Sequence, residues 1–516
     1  MIDKLWLLIP EMILFLGVIA VSIMGLSPLK NLRDLVPFVV MGFLAVAMLA
    51  VPLVYTPDRV ANADLLMPNL GHYIKMMVCG VGILLAMLKV GLIDRRFEKL
   101  VGAGRAAFDP MRVNRGEFFV FFLLSLIGVM LVANANDLIW LFLALELSSL
   151  PTYVMVAMSR QGPKAQEAAV KYFFLGAMAT AVFLYGFALM YGSTGTIILT
   201  EMRTAFAEQA ASGGINYLGI VGMIIALLGV SFKIAAFPMH FYVADVYEGA
   251  ASAVTAFIAF VPKTAGMLAI ILMLATVGWT GHGEVAGLPQ PILYTLWVVA
   301  VFTMTLGNIG ALLQRSVKRM LAYSSIAHSG YMLIGIIAGP GIGINSVLFY
   351  LTAYGIMNTG AFAVLAGLER RGAEIESLEE ITGLRERFPW MAFSMALASG
   401  SLLGIPPLLG FVGKLYLFIG GIEAGQIALI VIAALNTAIS AWYYLALVGL
   451  PILKQPTAQA ESVQPHPSMW PRLAAVITAF GVIVVAIFSS WIMTASEHAT
   501  SDYERPQQVA ELLDSE

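Results

Sequence analysis

Apolar residues run in blocks of about twenty, the length a helix needs to cross a bilayer. Fourteen such blocks follow one another, at 5–25, 36–56, 74–93, 116–134, 137–158, 168–191, 216–237, 250–276, 290–313, 320–339, 344–366, 388–420, 427–450 and 470–494. Short polar stretches separate them. The pattern predicts an all-α polytopic membrane protein of about fourteen transmembrane helices. The first block follows only Lys4 and lacks a small-residue cleavage site, so it is expected to be a retained span.

Two blocks are interrupted. One reads Gly229-Val-Ser-Phe-Lys233-Ile-Ala-Ala-Phe-Pro238, the other Gly404-Ile-Pro406-Pro407-Leu-Leu-Gly410-Phe-Val-Gly413-Lys414. Proline removes a helical hydrogen bond and clashes with the preceding turn. In lipid the freed carbonyls need another partner, so such breaks survive only against protein or water. The breaks fall in the seventh and twelfth spans, five apart. Spans four to eight (116–276) and nine to thirteen (290–450) then form two five-helix repeats. Five is odd, so the second is inverted relative to the first, a pattern of transporters. Residues 1–95 form an N-terminal three-helix segment and 470–494 a C-terminal helix, all within one membrane domain, 1–516. The bland alternative is that these prolines are ordinary kinks.

Composition agrees with the pattern. The chain is 60% hydrophobic and 12% charged, about half the charged fraction of a soluble protein. Its one cysteine, Cys79, excludes an intrachain disulfide and a Cys-rich metal or iron–sulfur site. Net charge is −2, and no nucleic acid partner is expected. Of 29 Lys and Arg, nineteen fall in alternate loops, including the run from Arg95 to Arg115, and only Lys4, Arg59, Arg203 and Arg505 in the others. The positive-inside rule then places both termini outside and supports an even number of spans. Thr200–Ser212 is expected as an outer surface helix, and Ser377-x-x-Glu380 has capping-box spacing on the inner side.

Against this background five charges stand out inside the blocks or just within their ends: Glu146, Lys171, Lys233, Lys263 and Lys414. A charge at the bilayer centre costs about 2.5–3.5 kcal/mol on the gentlest scale, so five unpaired would cost on the order of 10 kcal/mol. Such groups persist when they pair, line water or move ions. A lysine that gains or loses a glutamate partner switches between holding and releasing a proton. A static Glu146–Lys233 pair is the structural alternative, but Lys263 and Lys414 have no evident acid in their spans. His328, in the polar run Ala322-Tyr-Ser-Ser-Ile-Ala-His328, is a candidate bridge from Lys263 to Lys414, or a lone helix contact. His240, past the first break and near Asp245 and Glu248, is a candidate inner-side inlet, or a solvated loop histidine. Lys171 either snorkels to the headgroups or joins the Glu146 cluster.

At these residues the chain resembles the antiporter-like membrane subunits of respiratory complex I, the proton-pumping NADH:quinone oxidoreductase, and most closely the subunit-N branch. The resemblance is carried by Asn136-Asp-Leu-Ile-Trp-Leu-Phe-Leu-Ala-Leu-Glu146-Leu-Ser-Ser-Leu-Pro-Thr-Tyr153 and Glu167-Ala-Ala-Val-Lys171-Tyr-Phe-Phe-Leu-Gly-Ala177. It continues in Phe232-Lys233-Ile-Ala-Ala-Phe-Pro-Met-His240, Asp245-Val-Tyr-Glu-Gly249, Lys318-Arg-Met-Leu-Ala-Tyr-Ser-Ser325 and the second break. It implies that Glu146, Lys233, Lys263 and Lys414 translocate protons and that Lys171 matches a subunit-N position. Lysine at 414 argues against the M-type relative, and the length and span count against the L-type, which carries a long C-terminal lateral helix. After Glu248-Gly249-Ala250 the family usually has Pro-Thr-Pro-Val. Here the run is Ala251-Ser-Ala-Val254, which predicts a straighter start to the eighth span.

The resemblance further implies an integral protein of the bacterial cytoplasmic membrane, with both termini periplasmic. Its partners would be other complex I membrane subunits, both further antiporter-like subunits and small hydrophobic ones. No cofactor is expected in this chain; NADH, flavin, iron–sulfur clusters and quinone belong to partner subunits. The competing readings are a subunit of a multi-subunit cation/proton antiporter and a static scaffold subunit.

Overall fold

The computed structural model describes residues 2–89, 103–105, 115–160, 162–279, 287–370 and 373–513. Most of the basic run from Arg95 to Arg115, and the end of the 1–95 segment, lie outside the described residues. Twelve described helices are long and apolar enough to cross a membrane. Numbered by span, they are α1 (Ile9–Leu26), α2 (Lys30–Val54), α3 (Leu70–Lys89), α4 (Arg115–Ala133), α5 (Leu138–Ser159) and α6 (Pro163–Thr194). The others are α8 (Ser252–Val277), α9 (Gln290–Leu312), α10 (Val317–Ala338), α11 (Ile342–Ala366), α13 (Ile427–Leu453) and α14 (Trp470–Ile487). The two remaining spans are split as expected: α7a (Tyr217–Val230) with α7b (Val243–Gly249), and α12a (Pro389–Leu403) with α12b (Leu409–Glu423). In each group of five, α4 to α8 and α9 to α13, the fourth member is broken.

Local signals start the helices. Asp137 accepts from Trp140 N at 2.7 Å to cap α5, and Asn216 accepts from Leu218 N to cap α7a. Each satisfies a donor that the first turn leaves free. Ser316 caps α10, so that helix begins at Val317 and takes Lys318 and Arg319 into its first turn. Both had been expected in the preceding loop. Packing orders the helices from the middle outward. Every residue of α8 is buried, as is nearly all of α10 and α11. A helix apolar all round belongs in a core. α1, α2 and α13 instead turn Leu16, Leu49 and Trp442 outward.

Two loops carry further order. The segment expected as an outer surface helix is helical, Leu199–Ala211. Ser377 and Glu380, in the loop between α11 and α12a, form the expected capping box. There β1 (Leu368–Arg370) pairs antiparallel with β2 (Ala373–Glu374) and with β3 (Gln464–Pro465), in the order β2-β1-β3. This small sheet ties the α11–α12a connection to the α13–α14 connection. The C-terminal region departs from expectation. α14 ends at Ile487, short of 494, and a further helix, α15 (Ser489–Leu513), follows where a tail was expected. Its polar composition hid it from a search for apolar blocks, but Tyr503 is buried and its ring meets Trp279 edge-on.

Candidate functional site

The first break opens after Val230. Several of its free backbone groups find side-chain partners. Phe237 N donates to Thr303 Oγ1 at 2.9 Å, Tyr242 OH to the Phe232 carbonyl at 2.8 Å, and Ser329 Oγ to the Ile234 carbonyl. Ala235 takes a left-handed φ of 58°, a conformation that costs a non-glycine residue about 1–2 kcal/mol. Strain of this kind gathers at functional sites. α8 lies against the break at Gly266, where a Cβ would stand 2.6 Å from Ile234 Cγ2 and 3.0 Å from Lys233 Cβ.

Lys233 leaves the break toward α5. Its Nζ donates to Ser149 Oγ at 2.7 Å, to Glu146 Oε1 at 3.1 Å and to the Leu145 carbonyl at 3.3 Å. Glu146 also accepts from Thr180 Oγ1 of α6 at 2.9 Å. The pair is desolvated, with 3% of the lysine and 15% of the glutamate side chain exposed. A cavity of about 10 Å³ touches Lys233, Lys263, Tyr172, Tyr242 and Tyr247, just enough for one water.

Lys263, fully within α8, meets no carboxylate among the described residues. Its Nζ donates to the carbonyl and hydroxyl of Ser325 and faces the Tyr354 ring. Beyond it the link that looked thinnest in the sequence is lined with phenols. His328 Nδ1 lies 2.8 Å from Tyr350 OH and Nε2 2.8 Å from Tyr444 OH, and Tyr354 and Tyr331 pack on the ring. Lys414 sits at the far side, 4.9 Å from the Tyr331 ring centroid, and donates to the Leu403 carbonyl at 2.8 Å. That carbonyl is one the second break sets free. Gly410 makes this break possible: a Cβ there would stand 1.8 Å from Ser401 O.

The residues expected at the inner side gather separately. Lys171 is bonded to Asp245 and Glu167, each at 2.7 Å, and does not reach Glu146. Arg319 bridges Asp245 to Glu248, both at 2.9 Å, and Lys164 adds to Glu248. Lys164, Glu167, Lys171, Asp245 and Glu248 rim a cavity of about 130 Å³. His240 lies between the break and α7b, its ring near Phe237 and Phe241. Among the described residues no hydrogen bond or ion pair joins it to Asp245 or Glu248.

Two charged clusters escaped the sequence reading. Lys75 is wholly buried and donates to Glu11 at 2.9 Å and to the Leu7 carbonyl at 2.7 Å. Both lie inside apolar blocks, which was signal enough to notice them. The other cluster centres on Glu374 of β2. It accepts from Ser252 N and Oγ at 2.8 and 2.7 Å, from Lys318 at 3.1 Å and from Arg160 at 2.6 Å. It thereby caps α8 from a distant hairpin, at the position where the proline-rich run is missing. Burial pushes its carboxyl up, but Lys318, Arg160 and the Ser252 hydrogen bonds outweigh that and hold it down to about 2. No spacing in the sequence announces this partner.

A polytopic bundle with two broken spans and a file of buried, titratable side chains defines an ion-translocating membrane protein. Residues 135–440 match the family described as "NADH:quinone oxidoreductase/Mrp antiporter, TM", and the chain belongs to that family. It is 39% identical to NADH-quinone oxidoreductase subunit N of Trichlorobacter lovleyi over 75% of this chain and 77% of that one. It is 33% identical to NADH-quinone oxidoreductase subunit N 2 of Rhizobium meliloti over 95% and 96% of the two. Among solved structures it is similar to a chain of respiratory complex I from Thermus thermophilus, with a TM-score of 0.73, 26% identity and coverage of 95% and 99%. The resemblance to the subunit-N branch is therefore borne out, and with it the helical fold.

Proposed function

We propose that the chain is the proton-translocating subunit N of an NADH:quinone oxidoreductase, assembled with other membrane subunits of that complex. Electron-transfer cofactors belong to partner subunits, and redox energy reaches this chain through them. The repeats are residues 116–276 and 290–450, in a bacterial cytoplasmic membrane with both termini periplasmic. Protons enter from the inner side near Lys171 and His240 and reach the Glu146–Lys233 pair. They pass to Lys263, cross by His328 to Lys414, and leave by the second break.

The observation that carries this reading is Lys263: a buried lysine with no acid beside it among the described residues, in the most buried helix, between two broken spans. A static ion pair accounts for Lys233 but for neither Lys263 nor Lys414. Charges kept inside a membrane without a fixed partner mark ion pathways. The test is Lys263→Ala or Glu146→Ala in the intact complex, reconstituted in vesicles. Proton pumping and coupled turnover are expected to fall while the complex still assembles. Normal pumping by both variants would sink the reading.

A further inference from the structure

Lys263 has one described neighbour that receives its N–H and also has a proton to hand on. Its Nζ donates to the Ser325 carbonyl and to Ser325 Oγ at 2.8 Å, and faces the Tyr354 ring at 4.7 Å from the centroid. A carbonyl and a ring face accept a hydrogen bond without having a proton to give. A hydroxyl both accepts and donates. On its other side Ser325 Oγ lies 3.2 Å from the buried Tyr247 OH. Tyr247 lines the one-water cavity that also touches Lys233 and Lys263. Two other phenols line that cavity and are bonded elsewhere. Tyr242 donates to the Phe232 carbonyl, and Tyr172 lies 3.3 Å from Thr152 Oγ1. Tyr247 is the one bonded toward Lys263.

We propose that Ser325 and Tyr247 form a hydroxyl bridge carrying protons between Lys233 and Lys263. The proposal rests on the relay reading above. With Lys263 neutral, the Ser325 O–H bond breaks as a new N–H bond forms at Nζ. The Tyr247 proton moves to Ser325 Oγ. A water in the cavity gives its proton to the Tyr247 oxygen and takes one from the Lys233 ammonium. Each hydroxyl ends with the proton count it began with. One positive charge has moved from Lys233 to Lys263, and nothing is oxidised or reduced.

The test uses the intact complex in vesicles, comparing Ser325→Ala, Ser325→Thr, Tyr247→Phe and Lys263→Ala for protons moved per electron pair and for coupled turnover. Tyr247→Phe removes one oxygen and keeps the ring. Ser325→Ala is expected to lower proton translocation about tenfold or more, Tyr247→Phe to lower it several-fold, and Ser325→Thr to restore most of the rate by returning the hydroxyl. Wild-type pumping by Ser325→Ala and Tyr247→Phe, with Lys263→Ala impaired, would overturn the bridge and leave the relay standing. So would a Ser325→Ala loss that threonine does not restore, which marks a packing role. Normal pumping by Lys263→Ala would instead remove the relay on which the bridge depends.

Discussion

At the first break Lys233 is held by a carboxylate, a hydroxyl and a carbonyl. At the second, Lys414 has the Leu403 carbonyl and an aromatic face. Both lysines come from the fourth span of their group, but Lys414 satisfies a carbonyl of its own break whereas Lys233 reaches across to α5. The difference lies in what each can exchange. In the proposed relay Lys233 and Glu146 exchange a proton without changing the total charge of the pair. Among the described residues Lys414 has no such partner, and in the proposed relay its proton arrives through His328 and the phenols around it. In that relay the first break acts as a switch and the second as a terminus.

Removing the lysine from each break separates these roles. Lys233→Ala should have the largest effect, because it strands Glu146 in a membrane interior. Breaking a buried pair by deleting one partner costs about 3–5 kcal/mol. Assembled complex should fall in native gels, and pumping should be lost. The double variant with Glu146→Gln should recover assembly but not pumping. Recovery of both would show that the pair only ties helices together.

Lys414→Ala strands a carbonyl, a smaller penalty of about 1–3 kcal/mol. Assembly should survive while proton movement drops about tenfold or more. If assembly fails as badly as in Lys233→Ala, the proposed contrast between the breaks is wrong.

The Glu374 cluster offers a third, milder test, since it fixes the start of α8 and hence the height of Lys263. A carboxyl held down to about 2 stabilises the fold above the ordinary glutamate value of about 4.3, and that contribution is lost as pH falls toward 2. Thermal unfolding of the purified complex should therefore show a loss of stability between these values that Glu374→Gln reduces. An unchanged acid profile in the variant would remove Glu374 as the cause. Smallest of all should be Lys171→Gln. Its ion pairs are over a third exposed, and exposed pairs contribute about 0–1 kcal/mol. Stability should hold, with a modest fall in pumping rate at low ionic strength. A complete loss of pumping would move Lys171 from the inner mouth into the relay itself.

Hydrophobic spacing exposed the spans, because a helix that crosses a bilayer needs about twenty mostly apolar residues. The same logic exposed five of the charges, though it passed over Lys75 and Glu11. It also exposed the breaks, where proline and glycine cluster beside a lysine; the single prolines Pro151 and Pro262 leave their helices continuous. It failed where polarity was unremarkable: α15 is too polar to register as a block, and Lys318 looked like any loop cation beside a span. The Glu146–Lys233 contact was within reach of the sequence as a guess about complementary charges in neighbouring helices. Whether Lys171 joined that pair was left open, and the structure sets it instead against Asp245 and Glu167.

The sequence by itself determined the membrane class, the places of the two breaks and the residues whose burial must be compensated. Only the tertiary structure decided what compensates them: a serine and a tyrosine face for Lys263, a break carbonyl for Lys414, two phenols for His328, and a hairpin glutamate for the start of α8. These partners are 11 to 122 residues away along the chain. The cost of a buried charge is local and depends on residue type, so it is legible in one dimension. Its relief depends on which helices pack together, and that is settled only in three.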